Sequence, residues 1–146
     1  MKQAPLQLER YYFTKVAIES HLGVDGNEPN LLGCEIGIGQ SDDNPKRFKV
    51  SLRVVLTSQP GKQACYTGEI RADGFFQVHS EWPVEKIQQL VESNGVAMLY
   101  GAIREMVFNV TAHGPWLPVH LMAVTFADPN NKVETAQSST DVLVRS

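Results

Sequence analysis

Cysteine, excess positive charge and long apolar runs are all scarce in this sequence. Cys34 and Cys65 are too few for a disulfide framework and lack the CxxC spacing of redox or zinc sites. With 13 Lys and Arg against 16 Asp and Glu, the net charge of -3 disfavours nucleic acid as a partner. No segment approaches the ~20 apolar residues that span a bilayer, and the first residues lack a signal-peptide run. We therefore expect a reduced, cytoplasmic protein without membrane insertion.

Motifs for catalysis are also lacking. His113 and His120 do not have the spacing of a helical metal pair. The glycines from Gly33 to Gly39 are followed by neither the lysine of a P-loop nor a helix. We therefore predict no enzyme, no catalytic or metal-binding residue and no cofactor.

Alternating apolar residues predict an antiparallel sheet of four strands. The clearest strand is Arg47 to Ser58. Gln59-Pro60-Gly61 is typical of a hairpin turn, and it leads into a strand from Gln63 to His79 with a bend at Asp73-Gly74.

Two further strands precede these. The first ends at Ser20 and places Tyr12, Val16 and Ile18 on one side and Lys15 and Glu19 on the other. After a crossover loop, period-two spacing predicts a short edge strand in which glycines invite a bulge. Its apolar positions are Leu32, Cys34, Ile36 and Ile38.

The period then changes to about 3.6, which predicts two helices over the apolar face of the sheet. A short helix begins near Pro83 and ends at Ser93-Asn94-Gly95, and a longer one runs from Val96 to His113 before Gly114-Pro115. The apolar stripe of the longer helix extends further around it than one sheet face covers, which predicts a homo-oligomer.

A chain of 146 residues supports a single core. We divide it into a domain at 1–126 and a polar tail at 127–146. The tail is expected to be mobile or loosely docked rather than a second long helix, because few of its residues could form an apolar stripe. The alternative is that Val142-Leu143-Val144 folds back as a strand or plug in an apolar groove.

Several strings, in this order, resemble the SecB export chaperones over roughly residues 8–126. They are Leu8-Glu9-Arg10-Tyr11-Tyr12, Leu52-Arg53-Val54, Glu69, Ala102-Ile103-Arg104-Glu105-Met106, Gly114, Leu117-Pro118, Leu121 and Val124-Thr125-Phe126. The resemblance implies an α+β fold in which a four-stranded antiparallel sheet with a long crossover loop is backed by helices. It also implies a dimer of dimers that holds unfolded or precursor polypeptides without ATP during protein export.

The resemblance further implies two sets of functional residues. Client chains would bind along the second strand and its neighbourhood, at Leu32, Cys34, Ile36 and Tyr66. The SecA motor would contact the polar sheet face at Lys15, Glu19, Thr67 and Glu69.

This chain departs from the family pattern at two places. The polar face carries charges of both signs rather than acidic residues alone. Lys15 stands where an acid is expected, and Arg53 and Arg71 lie nearby. Because like charges repel, this face is predicted to bind a cationic motor tail more weakly. Asp128-Pro129-Asn130-Asn131 occupies the place of the family's last amphipathic helix. The alternative function is therefore a SecB-fold adaptor or dedicated chaperone of one partner, as in toxin-antitoxin systems.

Overall fold

The computed structural model of the chain describes residues 4–24, 29–124 and 126, and the backbone of 139–145. Its strands are β1 (Leu6–Ser20), β2 (Asn30–Gln40), β3 (Arg47–Ser58), β4 (Tyr66–Val78) and β5 (Ser139–Arg145). They form one antiparallel sheet in the order β1-β4-β3-β2-β5. The predicted four-stranded antiparallel sheet is confirmed, and a fifth strand from the C-terminal segment lies beside β2.

The predicted turn directly follows β3 and leads towards β4. Gln59 and Lys62 form a bridge, and Gly61 has a φ of 75°, a left-handed value that favours glycine. The predicted bend at Asp73-Gly74 is wrong, since β4 continues through it. A side chain at Gly74 would come within 3.3 Å of Leu99, so the glycine instead allows the long helix to approach the sheet.

β2 is longer than predicted, and its ladder with β3 is continuous from Asn30 opposite Ser58 to Gln40 opposite Phe48. The expected bulge is therefore absent from the β3 side. An irregularity occurs instead in the ladder with β5, between Leu32 and Cys34. β5 pairs with β2 only from Leu31 to Glu35, so β2 is an edge strand from Ile36 to Gln40 within the described part of the chain.

The two predicted helices join without a break. A 3₁₀ turn (Val84–Lys86) leads into α1 (Ile87–Leu90), a π-helical turn (Val91–Gly95) and α2 (Val96–Thr111). The predicted stop at Ser93-Asn94-Gly95 is wrong, because Gly95 has helical φ and ψ of -64° and -47°. A Cβ atom added at Gly95 would lie 3.5 Å from Leu6 and 3.7 Å from Val50.

α2 closes the apolar face of the sheet. Its buried residues are Val96, Leu99, Tyr100, Ile103, Val107 and Thr111. They join a core formed by the inward residues of β2, β3 and β4. Each fully buried large apolar side chain stabilises the fold by about 1.5–3 kcal/mol. The predicted covering of the sheet by helices is therefore confirmed.

β1 changes face part-way along its length. Its register with β4 shifts between Phe13 and Lys15, where an extra residue is accommodated. Tyr12 consequently lies opposite Asp73 on the outer face, whereas Val16 lies opposite Ile70 on the inner face. The prediction that Tyr12 and Val16 share a side is wrong because simple alternation does not anticipate the bulge.

The segment after α2 is extended and lies along the helix. Tyr100 donates its hydroxyl hydrogen to the Met122 carbonyl oxygen at 2.6 Å, and Arg104 Nε donates to that of Leu121 at 3.1 Å. Leu121 and Phe126 are buried in the core. No described helix has both the length and the apolar character needed to cross a membrane.

Candidate functional site

The four residues predicted to bind clients all have buried side chains, but they do not form one group. Leu32, Cys34 and Ile36 lie on β2, whereas Tyr66 begins β4 on the other side of β3. Leu32, Cys34 and Ile36 are 0%, 4% and 1% exposed, and Tyr66 is 2% exposed. The client-binding role of these four residues stays a prediction, and in this structure their side chains are buried. Period-two spacing identifies the inward face of a strand but does not distinguish a groove from a core.

Cys34 has no nucleophilic character in this setting. Burial raises the pKa of its thiol to about 12, so the thiol stays protonated at neutral pH. The residue therefore acts as a small apolar side chain on β2.

Tyr66 anchors the end of α2 to the sheet. Its hydroxyl donates to the Thr111 carbonyl oxygen at 3.3 Å and accepts the backbone N–H of Trp116 at 3.1 Å. A side chain on Gly114 would come within 2.0 Å of that hydroxyl oxygen. Gly114 is therefore needed because a side chain at this position would collide with Tyr66. The described glycines with a positive φ are Gly23 and Gly61, so the φ of Gly114 is not the reason for glycine here.

The start of β2 is fixed by a buried amide. Asn30 Nδ2 donates to the Tyr66 carbonyl oxygen at 2.6 Å and to that of Thr57 at 3.3 Å. A buried polar group is stable when it is hydrogen-bonded in this way. Asn30 thus links β2 to β3 and β4 at the end where the crossover loop arrives.

The outer edge of β2 carries β5. The paired positions are Leu31 with Arg145, Leu32 with Val144, Cys34 with Thr140 and Glu35 with Ser139. This backbone agrees with the alternative that Val142-Leu143-Val144 folds back as a strand. Of the predicted polar tail at 127–146, residues 127–138 and 146 lie outside the described residues, and the division of the chain at 126 stays a prediction.

The predicted motor-contact residues lie on the outer face of β1 and β4. Lys15 Nζ is 2.6 Å from Glu69 Oε2, and Glu19 stands opposite Thr67 in the register. Thr67 Oγ1 lies 2.7 Å from His21 Nε2. The structure therefore brings all four predicted residues, Lys15, Glu19, Thr67 and Glu69, to one face.

Glu69 is the centre of a network of ion pairs. Besides Lys15, its carboxylate pairs with Arg53 Nε and with Arg71 Nη2, the latter at 2.9 Å. The hydrogen bonds from Lys15 and then Arg53 hold the pKa of Glu69 down at about 2. Arg53 also lies 2.9 Å from Glu35, and its own pKa is raised, first by its hydrogen bond to Glu69. The carboxylate of Glu69 is therefore ionised and already neutralised by cations of this chain.

A cluster of cations and aromatic rings on the same face was missed by the sequence analysis. The rings of Tyr12 and Phe75 lie 5.8 Å apart, and the Arg10 guanidinium lies 5.1 Å from the Tyr12 ring. Lys49 Nζ lies 5.9 Å from the Phe75 ring and 3.7 Å from Asp73. The bulge in β1 brings Tyr12 to this face, so alternation alone could not have found the cluster.

The described residues contain no group of three or more His, Cys, Asp and Glu side chains arranged to hold a metal ion. The candidate site is instead a strand edge and a charged sheet face. An arrangement of this kind can bind an extended polypeptide through its backbone and a partner protein through complementary charge.

The fold is that of a SecB-like protein. A solved SecB-like chaperone of Mycobacterium tuberculosis, in complex with a ChAD peptide from the HigA1 antitoxin, superposes with a TM-score of 0.63. The match covers 82% of this chain and 91% of that one at 18% identity.

The sequence comparisons identify the family. The SecB family, described as preprotein translocase subunit SecB, matches residues 1–133. Protein-export proteins SecB from two strains of Acidithiobacillus ferrooxidans are 21% identical over 143 residues, covering 94% of this chain and 95% of theirs. The chain belongs to the SecB family, as its sequence resemblance implied.

Proposed function

We propose that this protein is a cytoplasmic, ATP-independent holdase that binds unfolded or precursor polypeptides for protein export, and that it acts as a chaperone rather than an enzyme. The observation that carries the proposal is the SecB family match over residues 1–133. Relatives that cover nearly the whole chain bear the name protein-export protein. Membership of this family and the SecB-like fold support a chaperone role.

The client would bind along β2 as an added strand. Backbone pairing at a strand edge does not depend on sequence, whereas alternate side chains supply moderate selectivity. Burial of apolar client surface adds about 25 cal/mol per Å². Because Leu32, Cys34 and Ile36 face the core, their role in this proposal is to hold β2 in position, and Tyr66 holds the end of α2.

The proposed oligomer is a dimer of dimers. Apolar side chains remain exposed on β1 and α2, including Tyr11, Val16 and Met98 at 45%, 41% and 42%. The outer edge of β1 is unpaired within the described part of the chain. Exposed apolar surface and a free strand edge both favour association between copies.

The proposed motor partner is SecA, through the face that contains Lys15, Glu19, Thr67 and Glu69. A second function, as adaptor or dedicated chaperone of one partner, is favoured by the neutralisation of Glu69 by three cations. A face of mixed charge attracts a cationic tail less strongly than an acidic face does. The neighbour solved with an antitoxin peptide is consistent with this alternative.

Fluorescence anisotropy tests the proposal. A labelled disulfide protein that is kept unfolded by reducing and blocking its cysteines should bind without ATP. The same protein with its disulfides intact, and therefore folded, is the matched control and should not bind. Binding of several unrelated unfolded proteins supports the general holdase. Binding of a single partner with none of the unfolded proteins would favour the dedicated chaperone, and equal binding of folded and unfolded forms would contradict both.

A further inference from the structure

β5 occupies only one part of the outer edge of β2. Its pairs extend from Leu31 to Glu35, and they are interrupted where Gly33 alone faces the segment 141–143. By contrast, the ladder between β2 and β3 continues without a shift along the whole of β2. Because its backbone pairs with β2 are fewer and interrupted, β5 is easier to displace from β2 than β3 is.

The rest of the β2 edge is unpaired. From Ile36 to Gln40, no strand in the described part of the chain pairs with the outer side of β2. Gly37 and Gly39 place no side chains there, and no atom lies within 4 Å of the Cβ position at Gly39. An extended polypeptide can approach these backbone groups without steric hindrance.

We infer that β5 is an intramolecular competitor of the client, and that a client strand starts to pair at Ile36–Gln40 and then displaces β5 from Leu31–Glu35. This inference rests on the proposed function, because it assigns a regulation to the same strand edge. Each backbone donor and acceptor on that edge serves one neighbouring strand at a time. Occupation by β5 and occupation by a client are therefore mutually exclusive over these residues.

The competition has a quantitative consequence. A strand on the same chain acts at an effective concentration on the order of millimolar when its tether is short. If β5 covers β2 about nine-tenths of the time, the apparent client Kd rises roughly tenfold. Short or weakly pairing clients would be rejected, while clients long enough to continue past Glu35 would be retained. The same pairing protects an apolar strand from aggregation when no client is present.

A reversible cross-link tests the inference. Cys34 stands opposite Thr140, and directly opposed Cα atoms in antiparallel strands lie about 4.5–5.5 Å apart, within the range of a disulfide. Thr140→Cys, in a Cys65→Ser background, should therefore form a disulfide that holds β5 on β2 when the protein is refolded from urea with an oxidant, since unfolding exposes the Cys34 thiol to the oxidant. Thr140→Ser in the same background is the control that cannot cross-link.

The binding of a labelled, permanently unfolded protein is then measured before and after reduction. The inference predicts that the oxidised Thr140→Cys protein binds more than about tenfold more weakly than the same sample after reduction, because β5 can no longer leave β2. Binding by Thr140→Ser should be unaffected by either treatment. Failure of the disulfide to form, or equal binding by the oxidised and reduced protein, would overturn the inference and leave the holdase proposal standing. Absence of binding by every form, including the unmodified chain, would overturn the proposed function and the inference with it.

Discussion

Lys15 Nζ lies 2.6 Å from Glu69 Oε2, so a cation of β1 neutralises an acidic side chain of the neighbouring strand β4. Arg53 and Arg71 contact the same carboxylate. The negative charge of Glu69 is therefore shared among groups of its own chain. A positively charged partner would have to compete with them.

The substitution Lys15→Asp should strengthen binding of a cationic SecA tail. It removes a repulsive charge and frees Glu69, and an exposed charge pair contributes up to about 1 kcal/mol, or roughly fivefold in Kd. Calorimetry at low salt, where exposed charges interact most strongly, measures the change. Lys86→Asp is the matched control, because Lys86 lies on the exposed 3₁₀ turn. Equal Kd values for Lys15→Asp and the unmodified protein would show that this face is not the contact.

Glu69→Gln should lower the free energy of unfolding at pH 7, and the loss should diminish in acid. The ion pairs lower the pKa of Glu69 from 4.5 to about 2, so the stability they provide is present above pH 4.5 and lost as the pH falls through about 2. Urea unfolding at several pH values measures the difference between variant and parent. Glu19→Gln is the control, since no ion pair found among the described residues involves the exposed Glu19. A difference for Glu69→Gln that stays constant from pH 7 to pH 2 would contradict the assignment.

Gly114→Ala should destabilise the protein, since its methyl group would come within 2.0 Å of the Tyr66 hydroxyl oxygen. Overpacking of this kind costs about 1–3 kcal/mol. Gly101→Ala is the matched control, because no atom lies within 4 Å of the Cβ position on exposed Gly101 in α2. That control should be stabilised by up to about 1 kcal/mol through helix propensity. Equal urea midpoints for Gly114→Ala and the parent would show that Tyr66 does not restrict this position.

The four antiparallel strands β1 to β4 could be predicted because their sequence signals are local. Alternation identified β3, and Pro60-Gly61 identified the turn that follows it. Gly95 was misinterpreted as a helix stop because a glycine can also lie inside a helix, and its φ and ψ are helical here. Tyr12 was assigned to the wrong face because a bulge depends on pairing with a distant strand.

The candidate site was predicted less completely than the fold. The family resemblance identified β2 as the client-binding strand. The burial of the Leu32 and Ile36 side chains depends on how α2 packs over the sheet, which the sequence pattern does not show. The pairing of β2 with β5 joins residues that are far apart in sequence. The neutralisation of Glu69 depends on three strands meeting at one carboxylate.

The protein should be a tetramer at tens of micromolar. Exposed Val16 and Met98 would be covered in such an assembly, as isolated protomers leave this apolar surface in water. Sedimentation equilibrium gives the mass directly. Met98→Asp should weaken the assembly, whereas Asn94→Asp, on the exposed part of the π-helical turn, should not. A monomer for the unmodified chain would contradict this prediction.

Light scattering during dilution of chemically unfolded clients tests the holdase account most directly. A molar excess of this protein should suppress the aggregation of several unrelated clients in the absence of ATP, and added ATP should make no difference. Unchanged scattering for every client would contradict the account.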